Sequence, residues 1–245
     1  MDMAVAISDA KRISSPSAHA HAMTLLTHDI YVDWYQSTTS SILIVNGFMN
    51  LSQEQETASP FTTVSCVLYG MLCENPKALP LLYLCGQHVD YNDKYRGLAG
   101  LLRYLNAQLL FANPECVNTA GFNYDFTHNL ESYDIPSLCQ LLHILVTSSP
   151  RQAVFILIDG FSTVEGGKFQ EHINFFALAL RYLVGHLNHN IQRNLPGPVL
   201  KILFTNPHAT VYLGSLLRDS VLDLPENGPM GGYGMNMYED YSIYT

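Results

Sequence analysis

An α/β fold built on a five-stranded parallel sheet is what the sequence predicts, on three observations. Five short apolar runs, at 42–45, 81–85, 154–158, 199–204 and 220–224, recur along the chain. The stretches between them carry apolar residues at helical spacing, so the strands are joined by crossovers, run parallel and are covered by helices on both faces, in three layers. The third run, VFILIDG from Val154 to Gly160, is apolar without alternation, as a strand buried on both faces requires, and it leaves Asp159 at its exit. Ligands of open parallel sheets collect at the carboxyl ends of strands, which makes this carboxylate the first candidate for a ligand or metal contact. A solvated or helix-capping aspartate is the structural alternative.

Taken in order, residues 1–23 are rich in Ala, Ser and His without a clear period and read as a flexible arm. A helix from Thr24 carries Leu26, Ile30 and Trp34 on one face and ends near Gln36. The first strand closes at Asn46-Gly47. Ser59-Pro60 then has the form of a helix start, a capping residue followed by proline in the first turn. Val64, Val67, Leu68, Met71 and Leu72 recur behind it until Asn75-Pro76. After the second strand stops at Gly86, Leu98, Leu101, Leu102, Leu105 and Leu109 line one face of an amphipathic helix. Loop or short helical turns fill 113–132. Ile135-Pro136 opens a helix with Leu138, Leu141, Leu142 and Leu145 on one side, which leads into the third strand. Gly166-Gly167 punctuates the chain. A long helix from Gln170 to about Arg193 turns Ile173, Phe176, Ala177, Leu180, Val184 and Leu187 inward, and Pro196-Gly197-Pro198 stops it. The fourth strand ends at Thr205-Asn206-Pro207, and a short helix over 210–218 precedes the fifth. The result is one domain over 24–225, followed by a Gly-, Met- and Tyr-rich tail, 226–245, that reads as disordered.

Charged residues make up 13% of the chain, about half the usual ~25%, which leaves apolar surface for a protein partner or self-association. The net charge is −9, and the twelve Lys and Arg form no cluster beyond Lys11-Arg12. Nucleic acid and anionic lipid both need a basic footprint, so neither is expected as a partner. No apolar run approaches the ~18 residues that span a bilayer, and residues 1–22 lack the apolar core of a secretory signal. The expectation is an intracellular, cytoplasmic protein with reduced thiols at Cys66, Cys73, Cys85, Cys116 and Cys139. Cys85-x-x-His88 and the pair Cys139 and His143 have metal-like spacing, but neither has the second matched pair of a zinc site, and core packing is the preferred reading. No Gly-x-Ser-x-Gly elbow is present.

A strand ending in glycine, a helix, a strand, a helical pair, an apolar strand closed by Asp159-Gly160, a helix, and a strand closed by Thr205-Asn206-Pro207 together resemble the core of P-loop NTPases. Among these the chain looks most like the STAND class and its NACHT branch, as found in fungal proteins. The resemblance covers about 37–224 and rests on Gly47, Asp159, Gly160, Thr205 and Pro207. Ser59-Pro60 and Leu84-Cys85-Gly86-x-His88 also resemble a fungal subgroup in which the phosphate loop has eroded. The resemblance implies a strand order of 5-1-4-3-2 and a nucleotide crevice where Gly47 and Asp159 converge with Asn206 close by. It makes Gly47, Asp159, Gly160, Thr205 and Asn206 the cofactor-binding positions. Asp159 would be the Walker B acid that holds magnesium through water, Gly160 would permit close backbone approach, and Thr205 with Asn206 would be the polar sensor.

The departures from the family pattern decide the function. With Gly47 as the first glycine of Gly-x4-Gly-Lys-Ser/Thr, the closing positions fall on Ser52, Gln53 and Glu54, and no lysine lies between Lys11 and Lys77. Glu54 and Glu56 place negative charge where phosphate would sit. Each lost charge-assisted hydrogen bond is worth roughly 1.5–3 kcal/mol, enough to weaken nucleotide binding by tens to hundreds of fold. The positions of the second Walker B acids hold Ser162 and Thr163, which cannot activate water, and Glu165 is the one candidate to replace them. The expectation is a catalytically degenerate P-loop NTPase-like protein that acts as an interaction or regulatory module, with no cofactor beyond a weakly held magnesium nucleotide. The competing readings are a working ATPase or GTPase that uses Asp159 for magnesium and Glu165 for water, and the core fragment of a longer STAND-type signalling protein.

Overall fold

The computed structural model describes residues 3–13, 16–49, 51, 58–116, 122–165 and 170–224. Ser52, Gln53 and Glu54, the positions that the resemblance aligns with the close of a phosphate loop, lie outside them, together with Glu56, Gly166-Gly167 and the tail 226–245. Five strands, β1 (Ser41–Asn46), β2 (Ala78–Leu84), β3 (Ala153–Asp159), β4 (Val199–Asn206) and β5 (Val221–Asp223), form one all-parallel sheet in the order β2-β3-β4-β1-β5. Read from the other edge, this is 5-1-4-3-2. Alternate residues of each strand enter different cores, as the period of two in a pleated strand dictates. Ile44, Leu81, Tyr83, Ile156, Ile158, Ile202 and Phe204 pack with α5 (Gly97–Ala112), α7 (Ile135–Thr147) and α8 (Gln170–Gln192). Leu43, Val45, Leu82, Leu84, Phe155, Leu157 and Leu203 pack on the other side with α3 (Asp29–Gln36) and α4 (Pro60–Cys73). Among the described residues, no helix is long and apolar enough to cross a membrane.

Three sequence expectations are corrected. Residues 3–23 are not a loose arm but hold two helices, α1 (Met3–Ile13) and α2 (Pro16–Met23), both packed on α4. They bury Ala6, Ala10 and Ala22, small residues that leave no strong periodic signal. The helix expected from Thr24 is broken at His28, a 3-10 turn before it and α3 after it, and the break shifts the buried face to Leu25, Tyr31 and Trp34 while Ile30 is exposed. Finally, α4 does not bury the single face expected. Phe61 through Cys66 are all buried because α1 and α2 cover the side that the sheet leaves open, whereas Val67 and Met71 are exposed. Between α5 and α7, the stretch read as loop or short helical turns includes the two-turn helix α6 (Tyr124–Glu131). The short helix before β5 is α9 (Tyr212–Leu216).

Candidate functional site

Strands β1, β3 and β4 end level with one another. Register pairs Asn46 with Asn206 and Asp159 with Thr205, so the polar residues that close three apolar strands arrive side by side at the carboxyl edge. Asp159 alternates with Ile158 and therefore faces α4, whose first turns supply polar partners. Thr62 Oγ1 donates to Asp159 Oδ2 at 2.6 Å, and Thr205 Oγ1 donates to Asp159 Oδ1 at 2.9 Å. With the Thr205 proton committed, Ser65 Oγ, 3.1 Å from Thr205 Oγ1, is the donor of the next link. Every member is buried, and Asp159 is only 4% exposed. Burial pushes its carboxyl up to about 6, against the pull of the two hydroxyl donors.

Gly47 and Asp159 do converge, through neighbouring residues of β4. The Gly47 amide donates to the Asn206 carbonyl at 2.8 Å, and Asp159 holds Thr205. The space beside Gly47, however, is filled. A Cβ there would meet the Phe61 ring at 2.7 Å and the Met49 side chain at 3.0 Å. Phe61 is fully buried, and His21 of α2 donates from Nε2 to the Gly47 carbonyl at 3.3 Å. Phe48 beside it takes a left-handed φ of 46°, an uncommon conformation for a bulky residue, and the Met49 amide anchors the turn on the Pro207 carbonyl at 2.8 Å.

The remaining candidates are occupied in the same way. Asn206 is fully buried; its Oδ1 accepts from the Ser162 amide at 3.0 Å, and its Nδ2 is 3.4 Å from the Val45 carbonyl. Gly160 is not there for close approach, since a Cβ would find only ordinary contacts at 3.7 and 3.8 Å. Its φ of 74° is what requires glycine. Thr163 Oγ1 turns back to the Gly160 carbonyl at 2.8 Å. Glu165 does not face Asp159's partners. Its carboxylate accepts from the amides of Val211, Tyr212 and Leu213 at 2.7, 3.4 and 2.7 Å and ties down the start of α9. Burial raises its pKa and these amide bonds lower it, with burial prevailing.

No family model, no curated protein and no solved structure matches this chain.

In the phosphate-loop pattern, the closing Ser or Thr and the Walker acid share a magnesium ion. Here Thr62 and Asp159 hold each other directly. Counting Thr62 as that closing hydroxyl puts Phe61 in the place of the lysine and Pro60 in the place of the glycine, 15 positions on from Gly47 and about twice the motif's spacing. The residues present do not fit magnesium. Both carboxylate oxygens of Asp159 are engaged and buried, and among the described residues no group of three His, Cys, Asp or Glu is placed to hold a metal. Cys85 is buried beside Gly160, while His88 Nδ1 meets Asp93 Oδ2 at 2.8 Å. Cys139 is buried, while His143 Nε2 lies 3.1 Å from His186 Nδ1.

Thr62, Ser65 and Asn46 were not among the sequence candidates. Asn46 Oδ1 accepts from the Thr210 amide at 3.2 Å, and its Nδ2 donates to Asp223 Oδ1 at 2.8 Å. Two signals point to them: Asn46 and Asn206 each end an apolar strand, and Thr62 and Ser65 are polar at i, i+3 in a helix that is otherwise largely apolar. Ser59 takes the N-cap position of α4 but makes no capping bond.

Proposed function

We propose that the chain is a three-layer sandwich of the P-loop NTPase type, related to the NACHT branch of the STAND class, whose catalytic edge has become structural, and that it works as an interaction or regulatory module rather than a hydrolase. The observation that carries this reading is the Asp159 carboxylate bound on both oxygens by Thr62 and Thr205, beneath a Gly47 turn packed against Phe61. Strand order and a core on each face of the sheet support the fold half of it. The partner half is supported by surface: Phe175, Leu178 and Tyr182 expose apolar area along α8, beside a groove of about 540 Å³ shared with α7. The competing hydrolase reading loses its water-activating group, because Glu165 spends its oxygens on α9.

The test is a titration of purified protein with ATP and GTP, with and without magnesium. Affinity weaker than about 1 mM and no hydrolysis above background are expected. Micromolar affinity that disappears in Asp159→Ala would replace this reading with that of a working NTPase.

A further inference from the structure

A cleft lies at the opposite end of the sheet from Asp159. It opens at the amino ends of β1 and β5, between α8 and the connection from α9 to β5, with a volume of about 410 Å³. That lies within the ~300–1,000 Å³ of small-molecule sites. Arg181 and Gly185 of α8 form one wall, Arg218, Asp219 and Ser220 the other, and Ser40 part of the floor.

Three features set the cleft apart. Both arginines are exposed and, among the described residues, neither guanidinium has a hydrogen bond or ion pair. Elsewhere Arg12 pairs with Asp9, Arg103 lies over Tyr133 and Lys201 donates to Ser41. In a protein of net charge −9, two uncommitted guanidiniums against the single carboxylate of Asp219 leave the cleft net positive, and their planar forks match carboxylate and phosphate oxygens. Gly185 is the second feature. Glycine inside a helix costs about 1 kcal/mol relative to alanine, and a Cβ at Gly185 would touch nothing within 4 Å, so packing does not demand it. Its effect is to leave the wall of the cleft bare. Third, the floor is fixed: Asn188 accepts from the Ser40 amide at 2.7 Å and donates to the Ser40 carbonyl at 2.9 Å, and Ser40 Oγ accepts from the Leu200 amide at 2.9 Å.

We propose that this cleft binds a small polar molecule bearing a phosphate or carboxylate group, which Arg181 and Arg218 grip while its hydroxyl or amino groups meet Asp219 and Ser220. The site is independent of the sealed carboxyl edge. The experiment is calorimetric titration of the full chain with inorganic phosphate and, separately, with malonate, at an ionic strength held constant with sodium chloride. Saturable binding of at least one anion at about 1 mM or tighter is expected, with the better of the two identifying the acidic group. The joint change Arg181→Gln and Arg218→Gln should weaken it about tenfold or more, and Gly185→Leu, which favours the helix but fills the cleft, should abolish it. Arg193→Gln, beyond the end of α8, should leave it unchanged. Absence of saturable binding for both anions, or affinity retained in the double variant and in Gly185→Leu, would overturn the proposal.

Discussion

Two buried ionisable groups lie under the same layer of helices at opposite ends of neighbouring strands, and the chain treats them differently. Asp159 at the carboxyl end of β3 has a hydroxyl donor on each oxygen, one from α4 and one from β4. Lys201, near the amino end of β4 and only 1% exposed, has a single hydroxyl, Ser41 Oγ at 3.2 Å, and the Trp34 ring at 5.9 Å from Nζ. The two cannot neutralise each other. Asp159 is in register with Thr205, and the four residues from Lys201 to Thr205 span about 13 Å. The acid's desolvation is offset in part by partners from two separate elements, whereas the base is left with an aromatic face and one weak acceptor. Burial accordingly lowers the Lys201 pKa to about 8. Removing partners should therefore hurt at the acid end, and removing charge should help at both.

The largest effect should come from stripping the acid of its donors. Thr62→Val with Thr205→Val leaves a buried carboxylate unsolvated, and urea unfolding at pH 7 should show a loss of about 3–5 kcal/mol. Much of that loss should return at pH 5, where the carboxyl takes up a proton. An unchanged midpoint at both pH values would mean that these hydroxyls do not support Asp159.

Next is the acid itself. Its folded pKa of about 6 stands above the ordinary 3.8, so its contribution to stability is complete below pH 3.8 and is lost as pH rises through about 6. The full loss is about 3 kcal/mol. Asp159→Asn should remove that segment of the stability profile and leave the variant more stable than the parent at pH 7. A parallel profile for the two proteins would refute the assignment.

At the amino end the sign reverses. The folded pKa of Lys201 lies below the ordinary 10.5, so its favourable contribution is present above pH 10.5 and is lost as pH falls through about 8. Lys201→Met keeps the stem against Trp34 without the charge and should stabilise the protein at pH 7 by about 1–3 kcal/mol. The smallest effect concerns the turn that follows Asp159: Gly160→Ala forces a side chain into a left-handed φ and should cost about 1–2 kcal/mol in thermal or urea unfolding, although there is room for the methyl.

The sheet was legible because its strands are unbroken apolar runs, and the helices over β2, β3 and β4 because large side chains recur at their faces. Leu98, Leu101, Leu102, Leu105 and Leu109 are all buried as read, and on α8 only the detail moved, with Leu183 rather than Val184 fully inward. The helices around α4 were harder to read. α1 and α2 pack through alanines, and α4 is enclosed on nearly every side in its first half, which erases the one-sided pattern that marks a surface helix. At the candidate site, Asp159, Thr205 and Asn206 stood out as polar residues closing apolar strands. Thr62 and Ser65 did not, because polar residues on a helix ordinarily face water. Glu165 is close to Asp159 in sequence, and only the tertiary fold reveals that its carboxylate serves as a cap for α9.

The place of β4 in the middle of the sheet has a consequence for how the protein acquires its shape. During synthesis β2 and β3 can pair once residue 159 is available, with α5 and α7 already made to cover one face. β1 leaves the ribosome earlier than either, yet its two partners are β4 and β5, and Ser41 must wait for Lys201. Across that interval β1 lacks both of its strand neighbours, while α4 can already pack on α1, α2 and β2; an unpaired apolar strand is the circumstance that favours slow folding and association between nascent chains. Insertion of β4 joins an early half to a late half, and the hydrogen bonds from Thr205 to Asp159 and from Gly47 to Asn206 can close only at that step. The polar cluster at the carboxyl edge thus closes only once β4 lies between β1 and β3, with β5 still to add beyond β1.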